Sequence, residues 1–364
     1  MQKINKKIPK NKRNLTKEKD RWFLMTNAMT YAGIFQQNLD KQMTAKLTSG
    51  WMEANAGQVI YNGGKEVKIP HLSMQGLADY GRTNGTGFVN GDITFKYQTK
   101  EMTKDRGRSF QFDSNDVDET NFVLTAGNVL STFQTTQVVP EVDAYRYSTL
   151  AQAMLKASAN SGTSVGAITN GTTAGTGVAP GIATGGYSPA KATIFSKVKG
   201  DLAAIRDIIG DVPLVITMSA TTLSLLEQAD EISRQLNVVD FTKGDITTRV
   251  KSLDGVPIVE VPSSRFKTEY TFTPSGAGGF VATAAAADIN WMIMPLTAPI
   301  AVSKTDKVRI FSPDTNQSAD AWKVDYRKYH DVWITDEQLK LCRISINKGA
   351  TKIASGKNKE EAVE

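Results

Sequence analysis

The amino-acid sequence predicts an α+β protein, and three observations lead to that fold class. Residues 16–50 space their apolar side chains as one face of an amphipathic helix does. Residues 57–112 alternate apolar with polar residues, as half-exposed strands do, and a second helical pattern follows at 120–139. Helices and strands then alternate over residues 192–262, and strands dominate residues 264–347.

Composition excludes several classes of protein. The 364 residues are 40% hydrophobic and 22% charged, values typical of a globular chain. The single cysteine, Cys342, excludes an intrachain disulfide framework and favours a reducing compartment. The most apolar long run, residues 280–302, is interrupted by Asp288 and Pro295, so no membrane span is expected. The N-terminus lacks the apolar core of a secretory signal, so synthesis in the cytoplasm is expected.

The N-terminal segment carries the positive charge of the chain. The net charge is +6, and residues 1–21 hold nine Lys and Arg against two acidic residues, which leaves the remainder close to neutral. Such an arm binds a polyanion or an acidic protein partner in one interpretation and is a solvated, disordered tail in the other. The residues expected to make non-specific phosphate or scaffold contacts are Lys3, Lys6, Lys7, Lys10, Lys12 and Arg13.

Residues 57–112 are expected to form a long two-stranded excursion. The strand-like runs are "QVIYNGGKEVKIPHL" (58–72) and "DITFKYQTKEM" (92–102), and the Gly- and Asn-rich run "GLADYGRTNGTGFVNG" (76–91) joins them with repeated turns. An isolated two-stranded ribbon is marginally stable in water. We therefore expect this excursion to lie on a neighbouring molecule.

The most charged stretch, "KDRGRSFQFDSNDVDET" (104–120), invites a metal-site or acid–base interpretation. A calcium loop needs an oxygen ligand at the fifth position and glycine at the sixth, which are Val117 and Asp118 when counted from Asp113. The stretch is instead predicted to be a strand-to-helix junction, with acidic residues at the helix start. Its charge-paired joint is expected to consist of Arg106, Arg108, Asp116 and Asp118, and the alternative is an exposed, charged strand end.

Local patterns predict the remaining elements. Val139-Pro140 is expected to end one helix and to start another, since proline fits the first turn of a helix. Eight glycines and no charged residue between 160 and 189 predict a flexible surface loop. The other predictions are helices at 193–210 and 219–230, and strands at 212–219, 255–262, 288–295, 308–313, 323–334 and 339–346.

Catalytic patterns are absent from the sequence. The two histidines, His71 and His330, form no metal-binding pair at helical spacing, and Cys342 follows an apolar pattern that predicts a core position. The chain has no strand–helix nucleophile elbow and no dinucleotide fingerprint. We therefore predict no enzyme, no cofactor and no metal. A soluble enzyme with an unrecognised site remains as an alternative.

The order of these elements resembles the major capsid protein of tailed bacteriophages, which has the Hong Kong 97-type fold. The specific runs are "DRGRSFQFDSNDVDET" (105–120), "AGNVL" (126–130) and "VVPEVDAYRYSTLA" (138–151), which are similar to capsid proteins of long-tailed phages of Gram-positive hosts. "KEVKIP" (65–70) and "GLADYGR" (76–82) are weaker likenesses. The resemblance covers residues 58–151, and the order of elements extends it to about 347.

The resemblance implies a division of the chain into named parts. It implies an N-terminal arm with a basic tail and an amphipathic helix, an extended β-hairpin loop, a peripheral domain with a long spine helix, an axial α/β domain and a C-terminal tail. Their bounds are 1–55 for the arm, 56–117 for the extended loop, 118–162 with 300–347 for the peripheral domain, 163–299 for the axial domain and 348–364 for the tail.

The resemblance also implies a function. The chain would self-assemble as pentamers and hexamers into an icosahedral shell of the virion that encloses double-stranded phage DNA. It would be made in the bacterial cytoplasm, with no membrane partner. Relatives that carry their scaffold as an N-terminal domain are longer, so a separate scaffolding protein and a portal protein are the implied partners. An encapsulin-like compartment, which shares the fold and encloses enzymes, is the alternative.

Overall fold

The computed structural model describes residues 46–61, 65–80, 87–113, 126–160, 183–184, 186–229, 236–243, 246–273, 276–316 and 319–347. The basic arm, the first predicted helix up to residue 45, most of the predicted glycine-rich loop and the C-terminal tail lie outside these residues. Within the described part of the chain, no helix is long and apolar enough to span a membrane.

The helical segments of the described residues, in chain order, are α1 (Ala126–Phe133), α2 (Val139–Asn160), α3 (Lys191–Ile209), α4 (Ala220–Glu227) and α5 (Asp336–Leu339). A π-helical turn covers Gln134–Val138, and 3-10 turns cover Gly50–Gln58, Ser263–Arg265 and Pro313–Thr315. The strands are β1 (Ile60–Tyr61), β2 (Glu66–Met74), β3 (Ile93–Glu101), β4 (Lys104–Asp113), β5 (Ala183–Thr184), β6 (Leu214–Ser219), β7 (Leu236–Lys243), β8 (Ile246–Leu253), β9 (Val256–Val261), β10 (Tyr270–Phe272), β11 (Phe280–Ala282), β12 (Ile289–Pro295), β13 (Pro299–Phe311), β14 (Ala321–Ile334) and β15 (Arg343–Ile346).

The chain divides into two compact units. The smaller unit contains residues 106–135 and 306–328 together with the segment that ends at residue 46. The larger unit contains residues 47–105, 136–305 and the chain from 329 onward.

A seven-stranded mixed sheet is the centre of the larger unit, with strand order β5-β15-β12-β6-β9-β8-β7. Strand β6 pairs parallel with β9 and antiparallel with β12. Every residue of β6 and of β12 is buried. Strands that are buried on both faces consist mostly of apolar residues, which explains why these two segments are mainly apolar in the sequence.

Helices cover both faces of this sheet. Trp291 and Ile293 of β12 pack in one buried cluster with residues of α3 and α4. Met292 and Met294, which point to the opposite face because side chains alternate along a strand, pack in a second cluster with Leu150 of α2. The predicted α/β order of this region is confirmed, from the helix at 193–210 through the strand at 255–262.

The smaller unit joins β4, α1 and the outer parts of β13 and β14, in strand order β13-β14-β4. The ring of Phe133 on α1 contacts Phe110 of β4 and Tyr326 of β14, with centroids 4.8 and 5.8 Å apart. A Cβ atom at Gly107 would lie 2.9 Å from the carbonyl oxygen of Tyr326, so only glycine allows this close approach of the two strands. Lys328, which is 3% exposed, forms an ion pair with Asp306.

Two of the predicted elements are wrong in form. An α-helix does start at Val139 with Pro140 in its first turn, as predicted, but the preceding helix is not broken there, because the π-helical turn Gln134–Val138 joins α1 to α2. Proline donates no backbone hydrogen bond, and the wider turn before it accommodates that loss. The strand predicted at 339–346 begins only at Arg343, because Leu339 ends α5, whose first turn is capped by the Thr335 side chain. The buried core position predicted for Cys342 is confirmed.

Candidate assembly surface

The predicted two-stranded excursion is an antiparallel hairpin. Strands β2 and β3 pair over their full length, from Glu66 opposite Glu101 to Met74 opposite Ile93. The two residues of β1 extend the sheet beside the start of β2. We call residues 66–101 the extended hairpin, residues 66–69 with 98–101 its root, and residues 70–97 its distal half.

The root of the extended hairpin is buried within the larger unit. Val67 and Ile69 of β2 and Met102, just after β3, are at most 3% exposed and pack in one apolar cluster with Ile300 and Val302 of β13. Packing against β13 removes these apolar side chains from water, which stabilises the root. This packing ties the start and the end of the hairpin to the same surface.

A buried carboxylate fixes the point where the chain leaves the hairpin. Asp331 of β14 is 3% exposed, and its Oδ2 atom accepts hydrogen bonds from the backbone amide and the hydroxyl of Thr103 at 2.8 and 3.0 Å. Its Oδ1 atom accepts a bond from the Tyr145 hydroxyl of α2 at 2.7 Å. Hydrogen bonds to a charged acceptor are stronger than neutral ones. Asp331 therefore joins the hairpin exit, the helix α2 and the strand β14.

Tyr145 is held in its neutral form at this point. Burial raises the pKa of its hydroxyl well above the ordinary value, and the negative charge of Asp331 raises it further. The ammonium group of Lys104 lies 3.8 Å from the ring centroid of Phe272 and 5.0 Å from that of Tyr145. A cation over two aromatic faces is attracted by both. The exit of the hairpin thus combines a carboxylate, a neutral phenol and a stacked lysine.

A second buried charge cluster fixes the segment before the hairpin. Asp143 of α2 is fully buried and accepts hydrogen bonds from the backbone amide and hydroxyl of Ser49, at 3.1 and 2.7 Å. One turn further along α2, the fully buried Arg146 pairs with Glu53 and donates to the Ser49 carbonyl oxygen. Arg265 also reaches Asp143. Buried charges of this kind are tolerated only when paired, so the pair fixes where residues 49–53 lie on α2.

The distal half of the hairpin has the opposite character. Nine of the eleven large hydrophobic side chains that are exposed among the described residues lie between positions 72 and 97. Each is at least half exposed, and they are Leu72, Met74, Leu77, Tyr80, Phe88, Val89, Ile93, Phe95 and Tyr97. Clustered exposed apolar side chains are typical of a contact surface, so the distal half of the hairpin is the candidate assembly surface.

The other residues singled out from the sequence divide into two groups. Arg106 and Arg108 lie on β4 in the smaller unit, the first half-buried and the second exposed. Asp116, Asp118 and the six basic residues of the arm lie outside the described residues, so the charge-paired joint and the polyanion contact remain predictions. Strand β4 is described up to Asp113, and residues 114–125 lie outside the described residues, so the strand-to-helix junction stays a prediction. Within the described ranges, no group of three acidic, His or Cys residues is placed to hold a metal ion.

The sequence carried no recognisable signal for the contacts of Asp331 and Tyr145. The partners Tyr145 and Asp331 are 186 positions apart, and Thr103 and Asp331 are 228 apart. For Asp143 and Arg146 a partial signal exists, since both are charged residues on the otherwise apolar face of the predicted helix.

The chain matches no protein-family model. A search of curated proteins also finds no match. Solved structures do match it. The asymmetric unit of the bacteriophage PhiM1 mature capsid aligns with a TM-score of 0.50 and 14% identity over 80% of this chain and 85% of that chain. This likeness, together with the element order, shows that the chain has the Hong Kong 97-like fold predicted from its sequence.

Two further structures align less closely. A protein of Mycobacterium phage Che8 has a TM-score of 0.46 and 14% identity, over 78% of this chain and 84% of that chain. A virus-like particle from Pyrococcus furiosus has a TM-score of 0.40 and 8% identity, over 84% of this chain and 98% of that chain. At TM-scores below 0.5, these two likenesses do not contribute to the fold assignment.

Proposed function

We propose that the protein is a major capsid protein, a structural and non-catalytic subunit that assembles with copies of itself into an icosahedral phage shell. The observation that carries the proposal is the exposed apolar distal half of the extended hairpin on a Hong Kong 97-like fold. The hairpin is not an independent folding unit, because its root is buried in the larger unit and its distal half buries little.

The apolar surface of the distal half is large enough for a stable contact. Large apolar side chains present on the order of 150–200 Å² each, so nine that are at least half exposed present roughly 1,000 Å² together. One partner of a standard protein interface contributes about 800 Å². Because every copy carries the same hairpin, a neighbouring copy is the partner that a shell supplies at every position.

The sequence resemblance to major capsid proteins of tailed phages supports further expectations about the shell and its partners. Pentamers and hexamers would form the shell, double-stranded DNA would fill it, and a scaffolding and a portal protein would take part in assembly. The basic arm, with its six residues from Lys3 to Arg13, would contact DNA phosphates or an acidic scaffold without reading bases. These contacts are expected in the virion.

The proposal is tested by the assembly state of the purified full-length chain, alone and co-expressed with any scaffolding protein that is encoded beside it. Size-exclusion chromatography and electron microscopy should show capsomer-sized oligomers or closed icosahedral particles. Particles filled with DNA support a phage shell, and particles filled with protein cargo alone support the encapsulin-like alternative. A protein that stays monomeric under both conditions contradicts the proposal.

A further inference from the structure

The two faces of the extended hairpin are defined by its register. Directly opposed residues of an antiparallel pair share a face, as do alternate residues along each strand. One face, which we call the root face, carries Val67 and Ile69, whose partners across the pair are Lys100 and Gln98. The other, the free face, carries Leu72 opposite Phe95 and Met74 opposite Ile93, with Pro70 opposite Tyr97 nearer the root.

The apolar residues change face along the hairpin. On the root face they lie at the root, where Val67 and Ile69 are 0% and 3% exposed. Further out on the same face, β3 presents the exposed polar residues Thr94 and Lys96. On the free face the order is reversed: the exposed residues at the root are Glu66, Lys68, Thr99 and Glu101, and the apolar residues lie in the distal half.

This reversal means that the two apolar surfaces of the hairpin have different partners. The root face is covered by the larger unit of the same chain, through the cluster that includes Val67 and Ile69. The distal part of the free face carries Leu72, Met74, Ile93, Phe95 and Tyr97, each at least half exposed. The rings of Phe95 and Tyr97 are already packed edge to face, 4.8 Å apart, which limits the side-chain conformational entropy lost on binding.

We propose that the distal part of the free face docks on a second copy of this chain, and that the root face of the distal half does not. This inference rests on the proposed function and specifies which surface of the hairpin makes the contact. The free face carries no charged residue at the register positions from Pro70 to Met74 and from Ile93 to Tyr97. A nucleic acid or an acidic scaffold would find no complementary charge on this face. An apolar surface of a neighbouring subunit would be complementary to it.

Thiol labelling distinguishes the two faces, because the chain has one cysteine and it is buried. Burial also raises the pKa of the Cys342 thiol, so the wild-type protein gives little background. Leu72→Cys and Phe95→Cys place a thiol on the free face, and Thr94→Cys and Lys96→Cys place one on the root face at the same distance from the root. Each variant is treated with a maleimide dye as free subunits and as assembled particles.

All four variants should label rapidly as free subunits. In particles, the two free-face thiols should react at least about tenfold more slowly, since labelling then requires local opening of the interface. The two root-face thiols should keep their rates. Protection of the root-face thiols alone, or of all four equally, overturns the face assignment and leaves the hairpin contact standing. Full reactivity of all four in closed particles overturns both the face assignment and the proposed role of the hairpin.

Particle yield is a second test of the inference, which applies even if a cysteine variant does not assemble. Leu72→Ser with Phe95→Ser should give folded subunits, by circular dichroism, and lower the particle yield by at least about tenfold, because an apolar contact repeated at every interface is lost. Thr94→Ser with Lys96→Ser is the matched control and should assemble normally. A normal yield from the free-face pair, or a loss from the control pair alone, contradicts the inference.

Discussion

The root and the distal half of the extended hairpin share two strands and one register, but they differ in what covers them. At the root, Val67 and Ile69 are buried against β13 and β14, and Asp331 binds the exit of the hairpin. In the distal half, the large apolar side chains that the structure describes at positions 72–80 and 88–97 are at least half exposed. Under the proposed function, the root serves folding and the distal half serves assembly. Substitutions at the root should therefore lower the free energy of unfolding of the subunit, and substitutions in the distal half should lower the yield of particles.

The largest difference in stability is expected between Ile69→Ala and Leu72→Ala. Ile69 is 3% exposed in the root cluster, so its truncation leaves a cavity and should lower the free energy of unfolding by about 2–5 kcal/mol. Leu72 is 55% exposed, and its truncation should change that energy by less than about 0.5 kcal/mol. Denaturant unfolding of assembly-free subunits measures both. Equal losses at the two positions would remove the distinction between root and distal half.

A smaller loss is expected when Asp331 becomes asparagine. The amide group keeps the shape of the side chain but has one acceptor oxygen, so donors that now bind the carboxylate are left unpaired at a cost of about 1–3 kcal/mol. The exposed Asp79, in the distal half, is the matched site, and Asp79→Asn should be neutral. Hydrogen exchange at the Thr103 amide should accelerate only in the Asp331 variant. An unchanged exchange rate there would show that Asp331 does not fix the hairpin exit.

Alkaline pH should weaken the root through Tyr145. The folded state holds the hydroxyl proton more tightly than the unfolded state, so the unfolded state releases its proton first as pH rises. The free energy of unfolding should therefore fall above pH 10.0, the ordinary pKa, with a slope of up to about 1.4 kcal/mol per pH unit from this residue.

Tyr147 and Tyr270 also have raised pKa values because of burial, so all three tyrosines contribute to the alkaline slope. Tyr145→Phe removes the hydroxyl that faces Asp331, with Lys104 and His330 against the same ring. The variant should be less stable at neutral pH and should show a shallower slope above pH 10.0. A slope as steep as that of the wild type would mean that the Tyr145 proton is not held by the fold.

The smallest effect on folding is expected from the basic arm. Residues 1–21 should contact packaged DNA or scaffold inside the shell, so trypsin should leave them intact on filled capsids and remove them from free subunits. Their removal should leave the unfolding free energy of the subunit unchanged. Rapid clipping of filled, unbroken capsids would place the arm on the outside.

Much of the fold was predictable because its signals are local. The strand at 212–219 and the helix that follows read clearly from a continuous apolar run and from Ser219, whose side chain caps the helix. Strands β7 and β8 were not predicted, although Ile246, Thr248 and Val250 alternate with polar residues in β8. The helix continuity across Pro140 was also missed, because a π-helical turn has no sequence signature of its own.

The candidate surface was predictable only in outline. Strand-like runs around a Gly- and Asn-rich turn predicted a hairpin that needs a neighbour. Which residues lie on which face depends on register, and a shift of one residue would exchange the faces of Leu72 and Ile69. The carboxylate at Asp331 depends on contacts across 228 positions, which no local pattern specifies.

The most direct test of the account is replacement of the distal half of the hairpin, residues 70–97, by a short glycine linker that joins the two strands of the root. The account predicts a subunit whose unfolding transition matches that of the full chain, because the root contacts of Ile69 and Asp331 are untouched. It also predicts that this subunit forms no closed particles under conditions where the full chain does. Closed particles at normal yield from the trimmed chain would contradict the claim that the distal half of the hairpin drives assembly.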